Sequence, residues 1–342
     1  MDKIRLGSTG LMVTRTAMGC LPIQRVDFDT AKAILRRAYD AGINFFDTAR
    51  AYSDSEEKVG YALSDVRENI VIATKSGAKT GDELNAQLET TLKNLKTDYI
   101  DIYQFHNPSF MPVPGGEDGL YDAALEAKKA GKIRHIGITN HSLELSRQAV
   151  ESGLFETLQY PFNHLSTQDE IDLVNLCAEK DVGFICMKGM SGGLVTNARI
   201  PFAFIRQYEN AVPIWGVQRL SEIEEFIELE NNPPALTPEM QAEIARDRQE
   251  LAGAFCRGCG YCLPCPAGIP INNANRMREL LTRSPYKNWI SPAWQENMEK
   301  IADCIECGAC ASRCPYNLKP YETMKSQLEF YRNFVKEHAS EV

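Results

Sequence analysis

Eight of the eleven cysteines lie in two short runs near the C-terminal end of the 342-residue chain. The runs contain Cys256, Cys259, Cys262 and Cys265, and then Cys304, Cys307, Cys310 and Cys314. A thiolate at every third residue lets a short loop bind one metal cluster at several corners. Glycines within the runs, such as Gly258, Gly260 and Gly308, let the backbone turn toward such a cluster and approach it closely. The spacing therefore predicts bound metal.

The second run has the spacing Cys-x2-Cys-x2-Cys-x3-Cys-Pro, and the first differs only in a shorter last gap. This spacing resembles that of two-cluster bacterial ferredoxins, in which each run binds a 4Fe-4S cluster and the fourth cysteine ligates the other cluster. The resemblance implies two crossed ligand sets. They are Cys256, Cys259, Cys262 with Cys314, and Cys304, Cys307, Cys310 with Cys265.

Zinc sites and disulfide bonds account for the cysteine runs less well. Pairs of CxxC are typical of zinc ribbons, but four sulfurs and a terminal Cys-Pro in each run exceed what a tetrahedral zinc ion needs. Disulfides are disfavoured because cysteines three apart on a turn bridge poorly, and because the first residues lack the apolar core of a secretory signal. A structural cluster that never changes its oxidation state stays open. The remaining cysteines, Cys20, Cys177 and Cys186, lie in apolar segments typical of buried cysteines.

Four polar side chains follow apolar, strand-like stretches in the first third of the chain. Asp47 follows NFF, Tyr52 lies five residues later, Lys75 follows IVIAT, and His106 follows IDIYQF. This set resembles the catalytic tetrad of the aldo-keto reductases, and the strings FFDTARAYSDSEEKVGYAL, IVIATKSG and YIDIYQFHNP are similar as well. The resemblance extends to about residue 230 and implies NAD(P)H-dependent reduction of an aldehyde or ketone on an eight-stranded barrel. With the cysteine runs, the chain resembles the subgroup that has a C-terminal ferredoxin-like domain.

The four residue types suit hydride reduction of a carbonyl, which needs a proton donor for the developing alkoxide. Tyr52 can serve if its pKa of about 10 is lowered toward neutrality. Lys75 is expected to lower that pKa, and Asp47 to hold and charge-balance the lysine. His106 is expected to orient or polarise the carbonyl oxygen.

The resemblance also implies contacts with a nicotinamide dinucleotide, either NADH or NADPH. Residues near strand ends match the family's nicotinamide contacts, the glycine-rich segment 187–194 matches its loop over the pyrophosphate, and the segment after the eighth barrel strand matches its adenosine-phosphate site. The candidate cofactor-binding residues are Gly19, Cys20, Thr139, Asn140, Gln159, Met187, Lys188, Gly189, Gly192, Gly193, Leu194, Gly216, Gln218, Arg219, Glu222 and Glu225.

The adenosine-phosphate segment departs from the family's pattern. Where NADPH-dependent members usually place an arginine for the 2′-phosphate, this chain has Glu222, and Arg219 lies three residues earlier. A carboxylate accepts a hydrogen bond from a free 2′-hydroxyl and repels a phosphate. We therefore hypothesise tolerance of NADH, or a preference for it.

Alternating apolar runs and amphipathic stretches predict the elements that position these residues. Strands are predicted at 16–19, 44–47, 70–74, 100–105, 135–139, 157–160, 183–187 and 212–215. Helices are predicted at 30–41, 83–95, 119–130, 143–151 and 168–180, several with an N-capping Ser, Thr or Asp. Eight strands in this rhythm indicate an α/β fold, a (β/α)8 TIM barrel whose strand C-terminal ends carry the active site. Residues 3–13 predict a β-hairpin that covers the bottom of the barrel.

Proline-rich NNPPALTPE after residue 230 ends the barrel pattern. We predict three regions: a barrel at 1–230, a linker and a polar helix (238–253) at 231–253, and a ferredoxin-like iron–sulfur domain at 254–342. The spacer 270–303 is predicted to be helical in parts, and 321–338 to be an amphipathic helix.

Net charge and apolar content limit the kinds of molecule that the protein is expected to bind. A formal charge of −9 and the lack of a basic stripe argue against nucleic acid. No apolar run approaches the roughly 18 residues that span a membrane. The first residues, MDKIRLGS, favour a cytoplasmic protein. The expected partners are a small carbonyl substrate and, as a further candidate, a redox partner protein.

Hydride transfer moves two electrons together, whereas a cubane cluster passes one, and we find no motif for a flavin that would mediate between them. Two functions follow. In the first, the barrel reduces a carbonyl and the clusters are structural, regulatory or electron-delivering. In the second, the chain is an electron-transfer protein whose barrel is a docking scaffold. The intact tetrad favours the first.

Overall fold

A computed structural model of the protein describes residues 1–251, 255–283 and 286–338. The chain divides into two compact units. The first is formed by Met1–Gly189 and Arg199–Leu236, and the second by Met190–Ala198 and the residues from Thr237 onward. Among the described residues, no helix is long and apolar enough to cross a membrane.

The first unit is built around a closed barrel of eight parallel strands, joined in chain order. These strands are β3 (Ala17–Gly19), β4 (Phe45–Asp47), β5 (Val71–Ser76), β6 (Ile100–His106), β7 (Ile133–Thr139), β8 (Thr157–Pro161), β9 (Gly183–Met187) and β10 (Ala211–Gly216). The register pairs Lys75 with Gln104 and His106 with Thr139, so polar side chains meet near the strand C-terminal ends. The predicted TIM barrel is confirmed, and each predicted strand end lies within two residues of the observed one.

Eight helices accompany the barrel strands. They are α1 (Phe28–Asp40), α2 (Ser55–Leu63), α3 (Gly81–Leu95), α4 (Leu120–Lys129), α5 (Leu143–Ser152), α6 (Gln168–Glu179), α7 (Arg199–Ile205) and α8 (Leu220–Asn231). Capping by Ser, Thr or Asp occurs as predicted at α5 and α6, where Ser142 and Thr167 accept hydrogen bonds from backbone amides of the first turn. Asp27 and Thr80 cap α1 and α3 in the same way, and both helices begin two residues earlier than predicted. All five predicted helices are present, but α2, α7 and α8 were not predicted.

Buried charge explains why α2 does not show an amphipathic pattern. Glu56 is fully buried, and its Oε1 accepts hydrogen bonds of 2.8 Å from the hydroxyls of Thr74 and Thr91. Lys58 is also buried and donates to the backbone carbonyl of Ile23 at 3.2 Å. Charged residues on the inward face of a helix hide its apolar periodicity.

A hairpin of β1 (Lys3–Arg5) and β2 (Met12–Thr14) covers the end of the barrel where the strands begin, as predicted. Leu6 and Val13 are buried in one cluster with inward-facing strand residues such as Phe45. Gly7 has a φ of +52°, and a Cβ at this position would lie 2.1 Å from the backbone nitrogen of Gly183. Only glycine fits such a close approach of two backbones.

Within its described residues the second unit is helical. It contains α9 (Pro238–Glu250), α10 (Ile271–Ala274), α11 (Met277–Arg283), α12 (Pro292–Glu299), α13 (Ala309–Ser312) and α14 (Pro320–Glu337). Its apolar core includes Leu194, Met277, Met298 and Tyr331. The predicted helical spacer and terminal helix are confirmed. The predicted end of the polar helix at Gly253 and the predicted domain boundary at 253/254 lie outside the described residues.

Candidate active site and cluster-binding cysteines

A buried ion pair joins two neighbouring barrel strands. Lys75 Nζ lies 2.6 Å from Asp47 Oδ2 and donates a second 2.6 Å hydrogen bond to the backbone carbonyl of Thr48. Both side chains of the pair are almost wholly buried. A charge is stable at such depth only when it is paired and hydrogen-bonded; Lys75 makes two such bonds, whereas Asp47 makes one through Oδ2 and its Oδ1 is buried without a hydrogen-bond partner.

Tyr52 and His106 lie beside this pair. Tyr52 precedes α2, and its ring centroid lies 5.0 Å from Lys75 Nζ. His106 ends β6, and its ring meets the Tyr52 ring edge-to-face, with centroids 5.8 Å apart at 84°. The structure thus brings together Asp47, Tyr52, Lys75 and His106, which lie on three consecutive strands and one loop.

The electrostatics of the site differ from the sequence expectation at Tyr52. Burial, followed by the charge of Asp47, raises the pKa of the Tyr52 hydroxyl. The predicted lowering of the Tyr52 pKa is therefore wrong, and Lys75 directs its hydrogen bonds to Asp47 and Thr48. Burial also raises the pKa of the Asp47 carboxyl, against the opposing effect of Lys75. The phenol is fully protonated at neutral pH, the form that a proton donor needs.

His106 is neutral over the physiological range. Burial, with the charges of Lys75 and Lys79, lowers its pKa from 6.5 to about 3. A neutral imidazole can donate one hydrogen bond to a carbonyl oxygen without adding a second cation next to Lys75.

The low pKa of His106 predicts the pH dependence of its role. Because the unfolded chain binds this proton more tightly, the contribution of neutral His106 to folding stability is complete above about pH 6.5 and is lost as the pH falls toward 3.

Because His106 has a pKa of about 3, we expect kcat/KM for carbonyl reduction to show no inflection from His106 between about pH 5 and 8. Profiles of the wild type and His106→Gln should have the same shape at different heights. An acid limb near pH 6.5 that disappears in His106→Gln would contradict this expectation.

Several candidate nicotinamide contacts already bond within the protein. Cys20 is fully buried, with its Sγ 3.8 Å from the Met18 carbonyl. Asn140 donates to the Pro108 carbonyl at 2.9 Å, and its Oδ1 accepts from the Ser142 amide at 2.8 Å. The Asn140 amide keeps one donor hydrogen and one acceptor lone pair for a ligand.

Gly19, Thr139 and Gln159 also lie at or near strand ends. A Cβ at Gly19 would lie 3.1 Å from the backbone oxygen of Ile214, so the two strands pack closely here. Thr139 Oγ1 accepts from the Asn107 amide at 3.1 Å. Gln159 Oε1 accepts from the Gln104 amide at 3.0 Å, and both glutamines act to lower the pKa of Asp47.

The glycine-rich segment 187–194 contains several residues with a positive φ, and its residues divide between the two units. Met187, Lys188 and Gly189 belong to the first unit, and Gly192, Gly193 and Leu194 to the second. The φ angles are +60° at Lys188, +65° at Gly192 and +91° at Gly193. Left-handed residues followed by a right-handed one are typical of anion-binding nests. Leu194 is buried in the core of the second unit.

In the segment after β10, Glu222 caps the N-terminus of α8. Its carboxylate accepts from the amides of Gln218 at 2.8 Å and Arg219 at 3.2 Å, and from Arg219 Nε at 2.8 Å. Gly216 and Glu225 are exposed. The Arg219 cation is therefore already paired with a carboxylate at the position matched to the adenosine phosphate.

The four cysteines of the second predicted set line one cavity. Cys265, Cys304, Cys307 and Cys310 all contribute to its wall, together with apolar residues such as Ile271. Cys265 comes from the first run and the others from the second. The structure therefore places Cys265 at the same cavity as three cysteines of the second run.

Cysteines of the first predicted set influence one another's pKa values, and Cys310 of the second set also acts on Cys262. Burial raises the pKa of the Cys256 thiol, and the thiolates of Cys259 and Cys314 raise it further. Burial raises the pKa of Cys262 to about 12, with contributions from Cys256 and Cys259. Cys314, from the second run, is thus close to the first run.

Comparison with known families agrees with the geometry of both units. The model of the aldo/keto reductase family matches residues 8–201, which include the ion pair, Tyr52 and His106. The chain belongs to the aldo/keto reductase family. A second family model, of a 4Fe-4S dicluster domain, matches residues 255–319 of this aldo/keto reductase. The matched region contains both cysteine runs.

Known proteins similar to this aldo/keto reductase are oxidoreductases. The uncharacterized oxidoreductase YqkF of Bacillus subtilis is 26% identical over 242 residues, which cover 67% of this chain and 78% of YqkF. The NADH-specific methylglyoxal reductase of Escherichia coli is 29% identical over 226 residues, 57% of this chain and 69% of that enzyme. A solved aldo-keto reductase from Klebsiella pneumoniae in complex with NADPH is 21% identical, with a TM-score of 0.63 over 72% of this chain and 95% of that one. The last similarity shows the shared fold.

The residues present fit iron–sulfur clusters. Gly258, Gly260 and Gly308, beside the cysteines, have φ angles of +64°, +85° and +73°, which turn the backbone around a ligand. Arg276 Nε is buried without a hydrogen-bond partner. It lies near Cys256 and Cys259, which would ligate an anionic cluster. Within the described residues no group of His, Cys, Asp or Glu is arranged to hold a single metal ion, whereas a cubane spreads its ligands over separate corners.

Sequence reasoning missed two residues of this aldo/keto reductase. Gln104 contacts Gln159 and stabilises the Asp47 carboxylate, and the only signal was a polar residue within the apolar strand IDIYQFH. Arg276 is only 6% exposed and lies beside the first cysteine run. No spacing rule marks an arginine 17 residues after Cys259.

Proposed function

We propose that the protein reduces an aldehyde or ketone to an alcohol with NADH or NADPH, with Tyr52 as the proton donor. The buried Asp47–Lys75 ion pair beside the Tyr52 ring supports this most strongly. A structural ion pair needs neither a neighbouring phenol nor a neutral imidazole, and this site has both. Substrate and product differ by one hydride and one proton.

Each residue has a defined task in this proposal. The bound reduced nicotinamide supplies hydride to the carbonyl carbon. Tyr52 Oη holds the proton that passes to the carbonyl oxygen, and neutral His106 donates a hydrogen bond that orients that oxygen. The tyrosinate that remains lies next to the Lys75 cation, whose Nζ is 5.0 Å from the Tyr52 ring centroid, and Asp47 balances the charge of the lysine.

Consumption of NADH and NADPH with a panel of aldehydes and ketones tests the proposal. The protein is purified without oxygen so that its metal content is preserved. We expect turnover with at least one carbonyl compound and formation of the corresponding alcohol. Failure with the whole panel, in protein that binds the dinucleotide, would argue against carbonyl reduction.

The cofactor preference is proposed to favour NADH. Glu222 occupies the first turn of α8 and pairs with Arg219, so the amides of Gln218 and Arg219, just before the helix, and the nearby cation are already bonded to a carboxylate. A 2′-phosphate would meet this negative charge, whereas a free 2′-hydroxyl could donate to it. The NADH-specific methylglyoxal reductase among the relatives is consistent with such a preference.

Replacing Glu222 tests this preference. We expect kcat/KM to be higher with NADH than with NADPH in the wild type, and Glu222→Gln to shift the ratio toward NADPH by about tenfold, roughly one charge interaction of 1.4 kcal/mol. Steady-state kinetics with both dinucleotides measures the shift. Glu228→Gln, on the exposed side of the same helix, is the matched control and should leave the ratio unchanged. A large NADPH advantage in the wild type contradicts the hypothesis.

We propose that two 4Fe-4S clusters are held by the crossed cysteine sets. The cavity lined by Cys265, Cys304, Cys307 and Cys310 supports one set, and the charge interactions among Cys256, Cys259 and Cys314 support the other. The clusters have structural, regulatory or electron-delivering roles in this proposal. A cytoplasmic location is proposed as well, since thiols stay reduced there.

Electron transfer is a second candidate function, because part of the second cysteine run reaches the surface. Cys307 is exposed, and the neighbouring Ile305 is 70% exposed. An exposed apolar residue beside a cluster ligand suits transient docking of a redox partner protein. Retained electron exchange with a small redox protein, in a Tyr52→Phe variant without reductase activity, would favour this role.

A further inference from the structure

The Arg276 guanidinium is buried without a carboxylate partner. The residue is 6% exposed, its Nε has no hydrogen-bond partner, and within the described chain it forms no ion pair with Asp or Glu. Burial acts to lower its pKa, and the strongest opposing influence is the Cys256 thiolate, with weaker ones from Glu279 and Cys259. Arg276 therefore lies where the charge of a cluster held by the first cysteine run would act on it.

The same guanidinium contacts the segment 190–194. Nη1 lies 3.5 Å from the Ser191 carbonyl, and Nη2 lies 3.3 Å from the Gly192 carbonyl. Both hydrogen bonds are long and correspondingly weak. Arg276 thus bonds two successive carbonyls of the segment that contains Gly192, Gly193 and Leu194.

Two glycines allow Arg276 to lie between the cysteine run and the segment 190–194. A Cβ at Gly258 would lie 2.5 Å from Arg276 Nη1, and a Cβ at Gly192 would lie 3.0 Å from the same atom. Both residues have a positive φ, +64° and +65°. Any larger residue at Gly258 or Gly192 would displace the guanidinium, so its position depends on both glycines.

The segment 190–194 is structurally part of the unit that contains the cysteines. The residues Met190–Ala198 belong to the second unit, whereas Gly189 and Arg199, which flank them in the chain, belong to the first. Leu194 is 2% exposed and packs in the core of the second unit. A change of charge at the first cysteine run can therefore affect this segment through direct contacts of Arg276.

We propose that Arg276 is a positioning residue that links the charge of the first cluster to the conformation of segment 190–194, so that cluster reduction and dinucleotide binding oppose each other. This inference rests on the proposed function, in which the segment binds the dinucleotide pyrophosphate. One electron from an external low-potential donor adds one negative charge to the cluster and transfers nothing else. The added charge draws the guanidinium toward the thiolates and away from the two carbonyls. The segment loses this anchor, and dinucleotide affinity falls.

Binding of ADP-ribose to the holoprotein tests the link. This probe keeps the pyrophosphate and has no nicotinamide ring to react. The clusters are poised oxidised or reduced at an electrode, and the dissociation constant is measured by calorimetry. We expect binding to be at least about fivefold weaker in the reduced protein. Because binding and reduction are linked, saturating ADP-ribose should in turn lower the reduction potential of one cluster. The expected decrease is about 59 mV for each tenfold ratio between the ADP-ribose dissociation constants of the reduced and oxidised protein.

Variants at Arg276 separate this role from a structural one. Arg276→Gln should bring the oxidised-to-reduced affinity ratio close to one while about eight irons per chain are retained. If that variant loses iron, Arg276→Lys decides, since a retained charge without the forked geometry should reduce the ratio. Arg278→Gln, at an exposed position of α11 two residues away, is the control and should keep the wild-type ratio.

Two outcomes would overturn the link. One is equal binding of ADP-ribose to the oxidised and reduced wild type, and the other is an unchanged ratio in both Arg276 variants. Failure of dinucleotide binding is distinguishable from both, because in that case neither ADP-ribose nor NAD(P)H binds in any oxidation state. Failure of carbonyl reduction alone shows as binding of the dinucleotide without turnover.

Discussion

Replacement of Tyr52 by phenylalanine is expected to lower kcat for carbonyl reduction by about 100- to 10,000-fold, the usual contribution of a positioned proton donor. The change removes one oxygen and keeps the ring that contacts Lys75 and His106. The alkoxide then has no protein group at the Tyr52 position from which to take a proton. Stability and dinucleotide affinity should change little, because the buried Asp47–Lys75 pair does not depend on the hydroxyl.

The comparison uses NAD(P)H consumption and, separately, the dissociation constant for the dinucleotide. Tyr61→Phe is the matched control, since Tyr61 lies on α2, is 40% exposed, and donates only to Asp29 at 3.3 Å. It should retain wild-type kcat. If Tyr52→Phe retained kcat within about twofold, Tyr52 would not be the proton donor.

Replacement of Cys265 by serine is expected to remove one cluster, so that iron falls from about eight to about four per chain. Cys265 lines the cavity of Cys304, Cys307 and Cys310, although it belongs to the first run by sequence. The loss should therefore concern the cluster of the second run. Iron analysis and the electron paramagnetic resonance of the reduced protein measure it.

Double variants show which cluster is lost. With crossed ligation, Cys265→Ser combined with Cys304→Ser keeps about four irons, and Cys265→Ser combined with Cys256→Ser keeps about none. Uncrossed ligation gives the reverse pattern and would contradict the assignment. Cys177→Ala is the control, because Cys177 is a buried cysteine of α6 in the barrel unit and should leave the iron content unchanged.

Much of the fold was readable from local patterns. The alternation of apolar runs and amphipathic stretches predicted all eight barrel strands, because a parallel strand buried on both faces is apolar throughout. Helix α2 escaped prediction because Glu56 and Lys58 are buried through contacts with distant residues. Spacing predicted the cysteine chemistry, because cluster ligation constrains neighbours along the chain.

The sequence by itself determined the family, the barrel, the four polar residues at strand ends and the cysteine runs, since each depends on residue types at short separations. Only the tertiary structure decided that Glu222 caps its own helix, that burial raises the pKa of Tyr52, and that segment 190–198 belongs with the cysteines. The contact of Arg276 with Ser191 joins residues 85 apart. The physical reason is that burial and long-range pairing set pKa values and loop anchoring, and neither is encoded in a local pattern.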